Sequence, residues 1–450
     1  MLLTVFFFVL YILGVVIIGV VTSRRETEEG FMIADRKVSG LQLPATMSAG
    51  LFDGATLSMF IAYVYQYGIS ASWLFVGFAA GFLFLRRYLA HRIKQQADAF
   101  GVYSMPEYFY KIFGRQSGLM FSVLLIVQYF FLLAINLIIA GKVLQSTFSL
   151  PYTLSVVAGG LIVLSYLLLA GFKAVVKTDF FQLCIMFIMS IAVAGFLVTK
   201  TSIPVAEFSP FTIGFGNILG FLLIGAISIV VAPDLWQRIF SAKDQIVLRR
   251  GLGYAAIILP LLGAIICIVG LVTKQFFPDI APEDAFVIGF SKLLPYGLKE
   301  FGMVLLYAVA LSSSDTITFV VSSIVTRDLI NYTQRYSDES MRKLTRFFMI
   351  MFVVFATSFG FIYQNIITIG LSLGSLALAL FPPIIGSFYW RLDGRAVAWS
   401  LGLAALSVLA LFFIGALSPQ NSVISLPVSA ITLFVLQKFF KNSSRYILSV

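Results

Sequence analysis

The amino-acid sequence predicts an all-α polytopic membrane protein of about thirteen transmembrane helices, and three observations carry that prediction. Composition is the first: of 450 residues, 60% are hydrophobic and 11% charged, against about 25% charged in soluble domains. A soluble chain of this size has no core able to hide so much apolar surface. A hydrocarbon solvent removes the need, and 46 phenylalanines suit lipid-facing helices. Second, apolar windows of about 20 residues, enough to cross a bilayer as a helix, recur along the whole chain. Third, Lys and Arg concentrate in alternate loops, as the loop-charge rule of membrane topology requires.

The first window, 2–22, lacks a basic start and an Ala-x-Ala cleavage pattern. Its apolar run exceeds the roughly 7–15 residues of a signal-peptide core, so it reads as a retained first helix. Further spans follow at 40–66, 70–90, 117–146, 153–172, 178–199, 216–238, 248–273, 299–324, 343–363, 366–390, 395–416 and 421–440. Arg24 and Arg25, just after the first span, put the N-terminus outside and the C-terminus in the cytoplasm of a cell (inner) membrane. In that orientation Lys142, Lys200, Lys274, Lys292 and Lys299 face outward, and the other 26 of the 31 Lys and Arg residues face inward. Topology therefore accounts for the net charge of +11 and removes nucleic acid as a partner. The inner loop 86–116 is expected to hold an interfacial helix starting near Pro106, and the outer loop 274–298 an amphipathic stretch on the membrane surface. The single histidine, His91, sits in a basic loop, and Cys184 and Cys267 have no ligand or disulfide spacing. With no buried base-plus-nucleophile pair, an enzyme is not expected.

Two spans carry helix breakers. The second holds Gly50, Asp53 and Gly54 within five residues, and the seventh holds Ala232-Pro233-Asp234. Irregular backbone at membrane depth is tolerated where it lines a cavity. Each broken span opens a block of five, and breaks at matching positions of two halves point to an inverted-repeat transporter with a midplane site. The expected organisation is an extra helix and cytoplasmic loop at 1–38, a first five-helix repeat at 39–199, a second at 200–392, and two peripheral helices with a short tail at 393–450.

Carboxylates inside spans are the candidates for chemistry, because an Asp at a helix centre costs about 2.5–3.5 kcal/mol to insert. Asp53 lies near the middle of its span. It is either an ion or substrate contact or a carboxylate tied to the amides of a broken helix. Asp315 sits in LSSSDTITF, where Ser312, Asp315 and Thr316 are spaced i, i+3, i+4 on one helical face. Such hard oxygens suit a hard cation; helix–helix packing explains the serines but not the acid. Asp179, near the start of the sixth span, is either an N-terminal acid favoured by the helix dipole or a partner that meets Asp315 in the inner half of the membrane. Asp234 has Arg238 four residues on, and a structural ion pair is the better reading.

The chain resembles the sodium/solute symporter family. The resemblance is carried by FMIADRKVSG after the first span, SAGLFDG in the second, SMPEYFYKIFG, GFKAVVKTDFFQ, PDLWQRIFSAKD, SSSDTITFVVSSIVTRDL and FPPIIGSFYWRLDG, in order over nearly the whole chain. It implies a leucine-transporter-like fold of 5+5 inverted repeats and sodium-coupled symport of a small organic solute by alternating access. The solute would be an amino acid such as proline, a monocarboxylate or a sugar-like molecule. The family's main sodium site falls by match on Leu51, Gly54, Val309, Ser312 and Ser313. A second site, found in some members, falls on Asp179, Ser312, Asp315 and Thr316, so one or two Na+ ions are implied. Asp53 stands where proline symporters carry an aspartate important for coupling. The family serine at the Asp315 position is replaced by an acid, which either tightens sodium or takes a proton. Leu132, Gly225 and Ile229 replace aromatic contacts to proline, and the fourth span has no arginine for a sialic acid carboxylate. A monomer is expected to suffice. The rival readings are a proton-coupled symporter and a non-transporting membrane sensor. The sensor is disfavoured because the chain ends about ten residues after its last span.

Overall fold

A computed structural model describes residues 2–22, 33–38, 40–167, 172–200, 209–330 and 337–440. Arg24, Arg25, Arg335, Lys441 and Arg445, counted above among the inner cations, lie outside the described residues. So do the side chains of Ser312 and Asp315, although their backbone is helical.

The architecture is helical throughout. In chain order the first half contains α1 (Leu2–Thr22), α2 (Gln42–Leu51), α3 (Gly54–Tyr67), α4 (Trp73–Phe84), α5 (Ala90–Phe100), α6 (Met105–Phe113), α7 (Arg115–Phe148), α8 (Tyr152–Leu167) and α9 (Phe172–Lys200). The second half contains α10 (Phe215–Val231), α11 (Pro233–Ser241), α12 (Gln245–Phe276), α13 (Ala285–Lys292), α14 (Leu298–Ser323), α15 (Asp338–Ile362), α16 (Ile366–Tyr389), α17 (Gly394–Phe413), the single turn α18 (Pro419–Ser422) and α19 (Ser425–Phe440). Among the described residues nine helices are long and apolar enough to cross a membrane, and the pair α10–α11, bent by 47° at its break, makes ten. This is a multi-pass membrane protein.

Both expected breaks are present. The second span divides into α2 and α3 around Phe52 and Asp53, and the seventh divides into α10 and α11 at Ala232. Gly68, at φ +64°, ends α3 and lets the chain turn into α4. Helices also form in the two long loops: Ser104 caps α6, with Pro106 in its first turn, and α13 follows a 3-10 turn at Pro282–Asp284. One boundary moves. The helix expected from residue 178 begins at Phe172, so Asp179 sits about two turns inside α9 rather than at its N-cap. Lys173 and Lys177 lower the apparent hydropathy of those first turns, which is why an apolar window misses them.

Helix contacts fall into two groups. The broken helix α2–α3, α4, α10 and α12 pack on one another, while α7, α8, α14 and α15 form a second set. Within the first group, α4 and α10 touch backbone to backbone. A Cβ on Gly77 would overlap the carbonyl of Leu222, and one on Gly225 the carbonyl of Leu74. Small residues at such crossings let membrane helices approach closely enough for dispersion to hold them. The candidate site lies where the two groups meet, at the breaks.

Candidate functional site

The break in the first core helix has a specific hydrogen-bond cause. In a continuous helix the N–H of Ala55 would reach the carbonyl of Leu51, and that of Thr56 the carbonyl of Phe52. Here Ala55 N donates to Asn136 Oδ1 at 3.2 Å, and Thr56 N donates to Asp53 Oδ1 at 2.5 Å. The side chains of Asn136 and Asp53 thus take over two helix donors and release the carbonyls of Leu51 and Phe52 from them. Asp53, extended at φ −84° and ψ 170°, is the N-cap of α3. Of the two readings of this buried acid, the tie to broken-helix amides is the contact observed.

Gly54 sets how closely this break approaches α14. A Cβ at Gly54 would stand 2.6 Å from Ala310 Cα and 2.6 Å from Asn136 Oδ1. The broken helix therefore lies directly on α14 beside Val309 and Ser313. Ser313 is buried and its Oγ donates to Val309 O at 3.4 Å, a long bond that a better partner could displace. Ser314 makes the tighter back-bond, to Ala310 O at 2.7 Å. Thr316 is buried one turn further along. The structure thus brings Gly54 against Ala310 at a crossing of α3 with α14, one residue after Val309 and three before Ser313. The side chains of Ser312 and Asp315 lie outside the described residues, so the meeting of Asp179 with Asp315 is not described.

Asp179 has other partners. Its Oδ2 accepts from Thr46 Oγ1 at 2.5 Å and from Arg238 Nη2 at 3.1 Å. Arg238 also donates from Nε to Thr46 Oγ1 at 3.0 Å and from Nη1 to Asp234 Oδ2 at 2.9 Å. The hydroxyl of Tyr129 donates to Asp234 Oδ1. All five side chains are buried or nearly so. Gly50 makes the room, since a Cβ there would overlap the Arg238 guanidinium. The network joins α2 and α11, the inner halves of both broken helices, to α9 and α7. It holds two carboxylates and one guanidinium, and Asp179 Oδ1 has no hydrogen-bond partner among the described residues. Buried acceptors normally find a donor, so this oxygen is an exception among the buried carboxylate atoms of the network.

The Asp234–Arg238 pair was legible from its i, i+4 spacing. The second arm, to a residue 59 positions earlier, was not. An arginine at the inner end of an apolar span, with one local acid, was the available sign that more charge had to meet it.

Next to this network, α6, α11 and the end of α16 close over an aromatic layer. Trp236 lies against Tyr108, Phe109, Phe240 and Phe388, at centroid separations of 5.4, 5.9, 6.1 and 6.2 Å. Of the positions expected to meet solute, Ile229 is fully buried, and Gly225 is occupied against the α4 backbone.

Comparison with known proteins agrees with this geometry. The model of the sodium:solute symporter family matches residues 31–212. The osmoregulated proline transporter of Bacillus subtilis (strain 168) is 24% identical over 425 residues, covering 89% of this chain and 85% of that protein. The sodium/proline symporter of Staphylococcus aureus (strain Newman) is 24% identical over 480 residues, covering 97% and 93%. Among solved structures, a Na+-coupled sialic acid symporter in a substrate-bound outward-open state superposes with a TM-score of 0.82 at 17% identity, covering 97% of this chain and 98% of that one. A nucleobase-cation-symport-1 family transporter superposes at 0.64 and 11% identity, covering 93% and 96%. These two likenesses show that the chain shares the helical fold of those two structures. The chain thus resembles the sodium:solute symporter family over residues 31–212 and is similar to two proline transporters along most of its length.

Proposed function

We propose that this protein is a secondary active transporter that couples inward sodium movement to symport of a small organic solute by alternating access. The observation that carries the proposal is the broken helix laid on α14. Asn136 and Asp53 take the helix donors that would otherwise reach the carbonyls of Leu51 and Phe52, and Gly54 packs against Ala310 of α14, the neighbour of Val309. A set of carbonyl and hydroxyl oxygens without a soft ligand suits a hard cation. The main sodium site is Leu51, Gly54, Val309, Ser312 and Ser313. A second, inner site is Asp179, Ser312, Asp315 and Thr316, supported by the unpartnered Asp179 Oδ1. Asp53 couples sodium to the shape of the break through its cap on α3.

The two contact groups are the moving parts. Four-helix sets drawn from matching positions of both halves support a 5+5 inverted repeat within thirteen spans, with repeats at 39–199 and 200–392. Sodium binds from outside and orders the break; solute enters between the groups; the bundle then rocks and opens inward. Opening has to part Arg238 on α11 from Asp179 on α9 and unstack the aromatic layer around Trp236. With the N-terminus outside and the C-terminus in the cytoplasm, an inside-negative potential drives the cycle. Each charge crossing 100 mV supplies about 2.3 kcal/mol, or roughly 50-fold solute accumulation.

The solute is a small amino acid such as proline, a monocarboxylate or a sugar-like molecule. The proline transporters among the relatives favour the first. The apolar character of the stretch Ile227–Val231 favours a small, partly apolar molecule. The test is thermal stabilisation of purified protein in NaCl against KCl across a panel of such solutes, followed by uptake into proteoliposomes at fixed pH. Stabilisation and uptake that require sodium support the proposal. Uptake that ignores sodium and follows the pH gradient overturns it in favour of proton coupling.

A further inference from the structure

The cytoplasmic end of α4 and the start of α12 enclose a pocket of about 270 Å³ that the transport cycle does not use. Arg86, Arg87, His91, Gln245 and Arg249 line it over an apolar floor of Ala90 and Leu248. No carboxylate lines it. Elsewhere on this side several cations are paired: Arg36 with Asp98 at 2.6 Å, Lys111 with Glu107 at 3.8 Å, Arg395 with Asp393 at 3.4 Å. Arg86, Arg87 and Arg249 have no acidic partner among the described residues. The loop-charge rule explains why arginines lie on this side, but not why three converge, unpaired, on one concavity.

Local backbone builds the convergence. A wide π-turn at Leu85–Leu89 carries Arg86 and Arg87, and such turns recur at functional sites. Arg86 crosses α12 where Gly253 leaves space, and a Cβ there would stand 2.9 Å from its Nη1. The first turn of α12 adds the positive end of a 32-residue helix, capped by Asp244.

The surroundings say what enters. On α4, Val76, Ala80 and Leu83 form an exposed stripe that ends on Arg87. On α12, Leu261, Ile257 and Tyr254 form another that ends on Arg250. In the proposed orientation both stripes face hydrocarbon; the first ends on the pocket at Arg87, and the second ends on Arg250, the sequence neighbour of the lining Arg249. We infer that this pocket binds the phosphate headgroup of an anionic phospholipid from the inner leaflet, with the acyl chains lying along the two stripes. The inference uses the membrane orientation proposed above but not the sodium site.

The experiment follows thermal unfolding of the full chain in neutral detergent micelles as phosphatidylglycerol, phosphatidylcholine or inorganic phosphate is added. Saturable stabilisation by phosphatidylglycerol alone is expected. Each arginine near a headgroup contributes about fivefold, so Arg86→Ala with Arg249→Ala should raise the half-saturating lipid fraction by about 25-fold. Gly253→Leu, which displaces Arg86 without changing charge, should raise it by about fivefold. Arg391→Ala, an exposed cation on the same side, should leave it unchanged. Equal responses from wild type and the double variant overturn the inference, as does an equal loss in Arg391→Ala, which would mean diffuse surface charge. Stabilisation by inorganic phosphate as strong as by the lipid overturns the lipid assignment.

Discussion

Replacing Gly54 by alanine should weaken sodium binding while leaving the protein folded. The added Cβ would stand 2.6 Å from Ala310 Cα and 2.9 Å from Ala310 Cβ, with Asn136 Oδ1 at 2.6 Å. Carbon atoms rest about 3.5 Å apart or more, so α3 must retreat from α14 by about 0.9 Å. Metal sites tolerate about 0.2 Å in ligand distance, so a retreat of that size separates the freed carbonyls from the hydroxyls of α14. Overpacking of this kind costs about 1–3 kcal/mol. If the sodium-bound geometry alone bears that strain, half-saturating sodium rises by about 5- to 150-fold. The assay is thermal stabilisation by NaCl at constant ionic strength, with Gly195→Ala as the control. No atom lies within 4 Å of a Cβ at Gly195. That exchange should leave the sodium response unchanged and stabilise α9 by up to about 1 kcal/mol. A Gly54→Ala protein with wild-type sodium half-saturation would refute the placement of the site at this crossing.

Other substitutions test neighbouring claims. Asp53→Asn keeps a good helix cap whereas Asp53→Ala loses about 1 kcal/mol of one; if Asn restores stability but not sodium-dependent uptake, the charge matters beyond capping, and full uptake in Asn removes the coupling role. Arg238→Met leaves Asp179 and Asp234 buried without their cation and should cost about 3–5 kcal/mol; adding Asp179→Asn should recover part of that in chemical unfolding, and strict additivity would show that the two side chains do not interact. Ser104→Ala removes the cap of α6 and the single hydroxyl hydrogen bond shared between the two oxygens of the buried Asp328, at 2.8 and 2.9 Å. The expected loss is about 2–4 kcal/mol, with Ser104→Thr close to wild type, and a change under about 0.5 kcal/mol would rule out that anchorage.

Membrane class, helix order and both breaks were legible in the sequence because each has a local signature. Apolar windows mark spans, cations mark inner loops, and Gly-x-x-Asp-Gly or Ala-Pro-Asp inside an apolar run marks a break. Pro106 likewise announced α6. What the sequence could not disclose depends on residues far apart in the chain meeting in space. Asn136 takes the Ala55 N–H from 81 positions away, and nothing in its own span marks it for that role. Arg238 bridges to Asp179 in the same non-local way. Asp179 itself was misplaced at a helix start because two lysines disguised the first turns of α9.

The aromatic layer around Trp236 has an optical consequence. The chain has four tryptophans. Trp390 and Trp399 are 63% and 59% exposed, and Trp73 lies at the opposite end, its Nε1 donating to Pro210 O at 2.9 Å. Trp236 is the fully buried one, its indole N–H held by Val230 O at 2.9 Å. A chain carrying Phe at positions 73, 390 and 399 would therefore emit from a single indole at the joint between α11 and the aromatic rings. Its emission would shift to the red whenever that joint admits water, making the opening step visible as a colour change without an attached dye.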